Sequence, residues 1–153
     1  MTGPAKADVF RGLMMKEALE RVNRFMVEKG LKSTKQRDTI IRLFLKTEEH
    51  LDVDAFYKRV AKADPAIGYT TVYRTLKLLV DCGVAHERRF GNSPVKYENA
   101  WERKHHDHLI CLSCGAIVEF ENEAIEKLQE QVAAKAGFAL FSHRHELYGA
   151  CPK

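Results

Sequence analysis

Proline and glycine are sparse in this 153-residue chain, 4 and 9 respectively, which excludes collagen-like repeats and Pro/Gly-rich disorder. Only 4 cysteines are present, too few for a disulfide-built miniprotein of this length. No uninterrupted apolar stretch approaches the ~18 residues that read as a membrane span. The N-terminal stretch Met1 to Leu19 mixes Lys6, Asp8, Arg11, Lys16 and Glu17 among its apolar residues, so it lacks the apolar region of a secretory signal. Neither an internal repeat nor a low-complexity tract occurs. What remains is a globular composition, 45% hydrophobic and 30% charged, with room for one ordinary domain or two small ones. These features point to the cytoplasm and no membrane, and cysteines there serve as metal ligands or free thiols before disulfides.

Excess charge of one sign is also small, +4 overall, but it is unevenly spread. Residues 1–98 hold 19 Lys+Arg against 13 Asp+Glu, a balance of +6, and residues 99–153 hold 6 against 8, a balance of −2. A basic half is what a phosphate-binding module needs, because counterion release supplies most non-specific affinity for nucleic acid. The histidines divide the other way: His105, His106, His108, His143 and His145 lie in the second half, with His50 and His86 before it.

Residues 1–98 read as helices followed by a hairpin. Phe10, Leu13, Met14, Val22, Phe25 and Met26 recur at roughly helical spacing over 9–27, with Gly30 as a stop. Ser33 and Gln36 have the spacing of a capping box for a second helix through Ile40, Ile41, Phe44 and Leu45. Asp52 is a candidate N-cap for a third helix carrying Val53, Phe56, Tyr57 and Val60, broken at Asp64-Pro65. A fourth helix, 69–81, buries Val72, Leu76, Leu79 and Val80, and Gly83 is placed to end it in a left-handed conformation. Segments 84–90 and 95–98 around Gly91-Asn92-Ser93-Pro94 read as a β-hairpin. Helices followed by such a hairpin make a winged helix-turn-helix, whose last helix enters the major groove of double-stranded DNA while the wing touches backbone. That helix offers Tyr69, Thr70, Thr71, Tyr73, Arg74 and Lys77; hydroxyls suit phosphates and Arg suits guanine edges.

After a polar connector at 99–104, residues 105–112 and 116–120 read as strands around Ser113-Cys114-Gly115. Residues 123–136 read as a helix with Ile125, Leu128, Val132 and Ala133 on one face, and 138–148 as a third strand. The whole is therefore α+β: residues 1–98 a winged-helix domain, residues 99–153 a small α/β unit. At roughly 50 residues that unit needs metal or dimerisation to help hold it.

His105-His106-Asp107-His108 is the most informative run. Side chains alternate on a strand, so His106 and His108 point one way and His105 and Asp107 the other. One strand thus offers two pairs of ligands, whose imidazole and carboxylate mixture suits Fe(II), Zn(II) or Mn(II). The remaining donors must come from elsewhere, and His50, Glu98, Glu119, Glu126 and His143 are candidates. His86 and His145 have no such support and read as surface residues. Cys111-Leu112-Ser113-Cys114-Gly115 has zinc-knuckle spacing, and Cys151 offers a third thiolate. Tetrahedral structural zinc needs a fourth ligand, which is another side chain or a water, or lies outside this sequence. A redox C-x-x-C is the competing reading. Cys82 reads as a small buried thiol.

Together these residues resemble the ferric uptake regulator family of metal-dependent bacterial repressors. The resemblance runs from Gly30 to Cys151 on Thr34-Lys35-Gln36-Arg37, Thr70-Thr71-Val72-Tyr73-Arg74, His105 to Cys111, Cys111-x-x-Cys114-Gly115 and Leu147-Tyr148-Gly149. It implies a homodimer, or a tetramer, that binds operator DNA, with an N-terminal winged helix and a C-terminal dimerisation and metal-binding domain. It sorts the donors into a sensor site, His50, Glu98, His106, His108 and Glu119, and a second site, His105, Asp107, Glu126 and His143. It implies structural zinc at Cys111, Cys114 and Cys151, although a second C-terminal cysteine pair is absent. In the DNA half it makes Tyr73 and Arg74 the base-contacting pair and Lys32 a minor-groove lysine. The peroxide-sensing branch resembles this pattern with Asp where this chain has Glu98 and Glu119, so the longer Glu favours an iron-type repressor, with Fe(II) as co-repressor, over the zinc-, manganese- and peroxide-sensing branches. A zinc hydrolase is the reading from another class; it needs an open metal position, which so many donors would fill. A metal-storage or scaffold protein is a third, and the polar helix face at 69–74 argues against it.

Overall fold

The computed structural model describes residues 6–101 and 105–152, the side chains of 6–11 excepted. Residues 1–5 of the N-terminal stretch, the Phe10 side chain expected on the first helical stripe, and residues 102–104 of the connector lie outside that description. The chain divides into two compact units between residues 103 and 104.

The first unit runs α1 (Lys6–Glu28), α2 (Lys35–Leu45), β1 (Leu51–Asp52), α3 (Val53–Ala63), α4 (Tyr69–Asp81), β2 (Ala85–Arg88) and β3 (Lys96–Asn99). The helical stripes converge on one core: Val22 and Met26 of α1, Ile40, Ile41 and Phe44 of α2, Phe56 and Val60 of α3, and Val72, Leu76 and Leu79 of α4. Phe44 meets Phe56 edge-on with ring centroids 5.5 Å apart. The cap of α2 is Thr34, one residue beyond the expected Ser33: its hydroxyl accepts from the Arg37 N–H at 3.2 Å. Gln36 does not close a capping box but donates to the Ala66 carbonyl. Asp52 caps α3 as expected, accepting from the Ala55 N–H at 2.8 Å. Gly83, at φ +78, ends α4, and the N–H groups of Gly83 and Val84 bond back to the Val80 and Leu79 carbonyls. The wing holds one strand the sequence did not announce: β1 pairs with β3, giving an antiparallel sheet in the order β1-β3-β2. At two residues, β1 is too short to carry a periodic signal.

The second unit is β4 (Asp107–Cys111), β5 (Ile117–Phe120), α5 (Glu123–Lys135) and β6 (Glu146–Gly149). Its sheet has the order β5-β4-β6, with β5 antiparallel and β6 parallel to β4. The expected strand over 138–148 shrinks to β6. Phe138 is spent closing α5, its N–H bonding the Ala133 carbonyl after Gly137 at φ +77, and pairing with β4 begins only where the His145 carbonyl accepts from the His108 N–H. His105 and His106 likewise precede β4 and do not belong to it. The helix α5 buries no residue: Leu128 and Val132 of its apolar stripe stay exposed.

Candidate metal centres and nucleic-acid surface

The second unit brings His105, Asp107, Glu126 and His143 together, one potential ligand atom of each within 4.8 Å of the others. His105 Nε2 lies 3.1 Å from Asp107 Oδ1 and 3.8 Å from Glu126 Oε1, and His143 Nε2 lies 3.7 Å from Asp107 Oδ1 and 3.4 Å from Glu126 Oε2. Alternation delivers the first pair, the Asn122-capped start of α5 delivers Glu126, and the segment leading to β6 delivers His143. Asp107 is 1% exposed, and Asp107 Oδ2, Glu126 Oε1 and His143 Nε2 are buried without a hydrogen-bond partner. Buried polar atoms without partners are costly. Carboxylates and imidazoles converging on one point are satisfied together by a divalent cation, so these residues fit a metal ion.

His106 and His108 project from the opposite side of the same run, their rings 5.0 Å apart. Glu119, on β5 opposite His108, places Oε1 3.7 Å from His106 Nε2. His108 is buried and His106 and Glu119 half-buried. In the first unit, His50 Nε2 lies 2.6 Å from Glu98 Oε2, with both side chains nearly inaccessible. Two further residues meet Glu98: Arg88, which the sequence reading left out, donates from Nε to Oε1 at 2.9 Å, and His86, read as a surface residue and exposed, has Nδ1 3.5 Å from it. The hairpin register is their signal, since His86 faces Glu98 across the ladder and Arg88 lies two residues along the same face.

The three cysteines of the second unit cluster as expected. Cys114 and Cys151 sulfurs are 3.5 Å apart, and the Cys151 N–H donates to Cys111 Sγ at 3.2 Å. That bond, with backbone N–H groups of Cys114 and Ser113, lowers the Cys111 thiol to about 6. Such donors favour the thiolate, the form that ligates zinc. No fourth donor joins the cluster among the described residues. Cys82 is buried, and burial pushes its thiol up, as befits a packing residue.

On α4, Tyr69, Thr70, Tyr73 and Arg74 are exposed along one face, Thr71 is half-buried, and Lys32 is exposed ahead of α2. Tyr69 stacks edge-on against Tyr57 and its phenol, bonded to Asp54, is raised above the ordinary value. Lys77 is tied to the wing instead, Nζ lying 2.6 Å from Glu87 of β2. His145, read as a surface residue, is half-buried with Nδ1 3.5 Å from Asp107 Oδ2. Its spacing of two from His143 was the available clue.

The family model for the ferric uptake regulator family matches residues 28–148. A ferric uptake regulation protein of Rhizobium leguminosarum is 41% identical over 135 residues, covering 88% of this chain and 94% of that protein. Among solved structures, the Helicobacter pylori ferric uptake regulator, described with three functional metal-binding sites, superposes with a TM-score of 0.83 at 30% identity, over 90% of this chain and 91% of that one. A zinc-bound manganese uptake regulator superposes with a TM-score of 0.67 at 42% identity, over 85% and 98%.

Proposed function

Because this chain belongs to the ferric uptake regulator family, whose members are metal-responsive, DNA-binding transcription regulators and not enzymes, we propose that it is an Fe(II)-dependent repressor of iron-uptake genes. The observation that carries this reading is the donor chemistry: glutamates at both carboxylate positions, Glu98 beside His50 and Glu119 beside His106, with His108 buried and its ring against that of His106. Imidazole and carboxylate donors suit borderline divalent metals. In this reading His50 and Glu98 of the first unit and His106, His108 and Glu119 of the second hold one ion between them. A bound ion would favour whichever arrangement of the two units completes its donor set. If that arrangement also fits the operator, metal and DNA bind cooperatively.

The remaining residues take roles around that switch. Tyr73 and Arg74 read base edges, Tyr69, Thr70 and Thr71 engage phosphates, and Lys32 reaches the minor groove. His105, Asp107, Glu126 and His143 hold a second ion, and Cys111, Cys114 and Cys151 hold structural zinc with a fourth donor. Exposed Leu109, Val118, Leu128 and Val132 of the second unit support a homodimer built through that unit.

The test is operator binding by anaerobic protein titrated separately with Fe(II), Mn(II) and Zn(II), followed by peroxide. Fe(II) should drive binding, His108→Ala should abolish the metal dependence, and Arg74→Ala should weaken DNA binding while leaving metal affinity unchanged. Equal operator affinity with and without metal would overturn the reading. The 42% identity to a manganese uptake regulator favours Mn(II) as the second reading. Mn(II) driving binding where Fe(II) does not would select it, and loss of binding after peroxide would select an oxidant sensor.

A further inference from the structure

We infer that His145 is a positioning residue of the second metal site, holding the Asp107 carboxylate by its far oxygen so that the near one faces the ion. This rests on the reading of His105, Asp107, Glu126 and His143 as a metal site.

Asp107 presents its two oxygens to different partners. Oδ1 faces inward, 3.1 Å from His105 Nε2 and 3.7 Å from His143 Nε2, whereas Oδ2 faces His145 Nδ1 at 3.5 Å. Both Oδ2 and His145 Nδ1 are buried, and neither has a hydrogen-bond partner. A buried carboxylate oxygen and a buried imidazole nitrogen at that distance are a small side-chain adjustment from a charge-assisted hydrogen bond, and nothing else among the described residues satisfies either. The backbone fixes both residues: the His145 carbonyl accepts from the His108 N–H, next in chain to Asp107, and the His145 ring packs edge-on against Phe120 with centroids 6.0 Å apart.

His145 is not a fifth ligand, because it meets the oxygen turned away from the other donors. Its role is the one that outer partners of metal-binding carboxylates perform. With its proton on Nδ1 donated to Oδ2, Asp107 is held to bind through Oδ1 alone, oriented before the ion arrives. Without that bond the carboxylate is free to rotate or to chelate through both oxygens, so affinity and coordination geometry change together.

Co(II) binding to the full-length chain separates the possibilities. With the cysteine cluster loaded with zinc beforehand, a His106→Ala background isolates the second site, and a His105→Ala background isolates the sensor site. His145→Leu should weaken Co(II) at the second site about ten- to a hundredfold and shift its visible absorption, leaving sensor-site affinity and metal-free melting temperature near wild type. His145→Asn, which keeps an N–H near the same position, should restore most of the affinity. Unchanged affinity and spectrum in His145→Leu overturns the inference. So does equal weakening at both sites with a lower melting temperature, which marks a purely structural role. If His105→Ala removes no Co(II) equivalent from the wild-type stoichiometry, the second site itself fails and the inference falls with it; a functioning site indifferent to His145 sinks the inference alone.

Discussion

Glu98 sits where burial and charge conflict. Its carboxylate is 1% exposed and carries His50 on one oxygen and Arg88 on the other. A carboxylate this deep is tolerated only because it is paired. Removing the cation in Arg88→Met should lower the stability of the metal-free protein by about 1–3 kcal/mol, read from its urea midpoint. The thiols give a second residue-scale prediction. Backbone N–H donors to Cys111 Sγ favour its thiolate, so its folded value, about 6, lies below the ordinary one. In zinc-free protein the Cys111 thiolate should therefore grow in as pH passes upward through about 6, read from thiolate absorbance in a Cys82→Ala, Cys114→Ala background. The His105 to His108 run was legible because alternation makes a pattern that four residues suffice to display. Arg88 and His145 were not, since each gains its meaning from a partner across a strand or a loop, and a lone basic residue carries no period.

Elements differ in how much of their stability is local. The helix α4 buries Val72, Thr75, Leu76, Leu78 and Leu79 while exposing its polar face, so Leu76→Ala should cost about 2–5 kcal/mol in chemical denaturation. In α5 the situation reverses: it is capped by Asn122, whose side chain accepts from the Ala124 and Ile125 N–H groups, yet it buries nothing. Its apolar stripe was readable from spacing, but what covers it was not. Leu128→Asp combined with Val132→Asp should shift the protein toward monomer in sedimentation velocity. The four helices of the first unit were legible because apolar stripes and stops agreed, even though the cap of α2 fell on Thr34 and not Ser33. The third strand of the second unit was overdrawn, because apolar residues at 138–141 look like a strand to a pattern reader although Phe138 completes the turn after α5 and Phe141 stands fully exposed.

At the scale of the molecule, the uneven charge was the first sign of two tasks, +6 in residues 1–98 and −2 in residues 99–153. The residues proposed to read DNA lie on the basic side, so operator affinity should fall steeply with added salt whichever metal is bound. Linkage makes a firmer demand. Whatever factor metal contributes to operator affinity, operator must contribute to metal affinity. Metal titrations with and without operator duplex should return the same factor, and unequal factors would mean the two events are not one equilibrium. The uneven charge and the two ligand pairs of the 105–108 run were readable in the sequence, whereas the pairing of β4 with both β5 and β6 was not. Residues 105–111, the approach to β4 and β4 itself, carry donors for the proposed sensor site, the proposed second site and the cysteine cluster, and neighbours from 105 to 108 alternate between the first two. Such a run has a reading frame. A slip of one residue against its neighbours would exchange the donor sets of opposite faces and mismatch both. The safeguard is that β4 is laddered on both edges, antiparallel to β5 and parallel to β6, so no shift of frame is possible without breaking two dissimilar ladders at once.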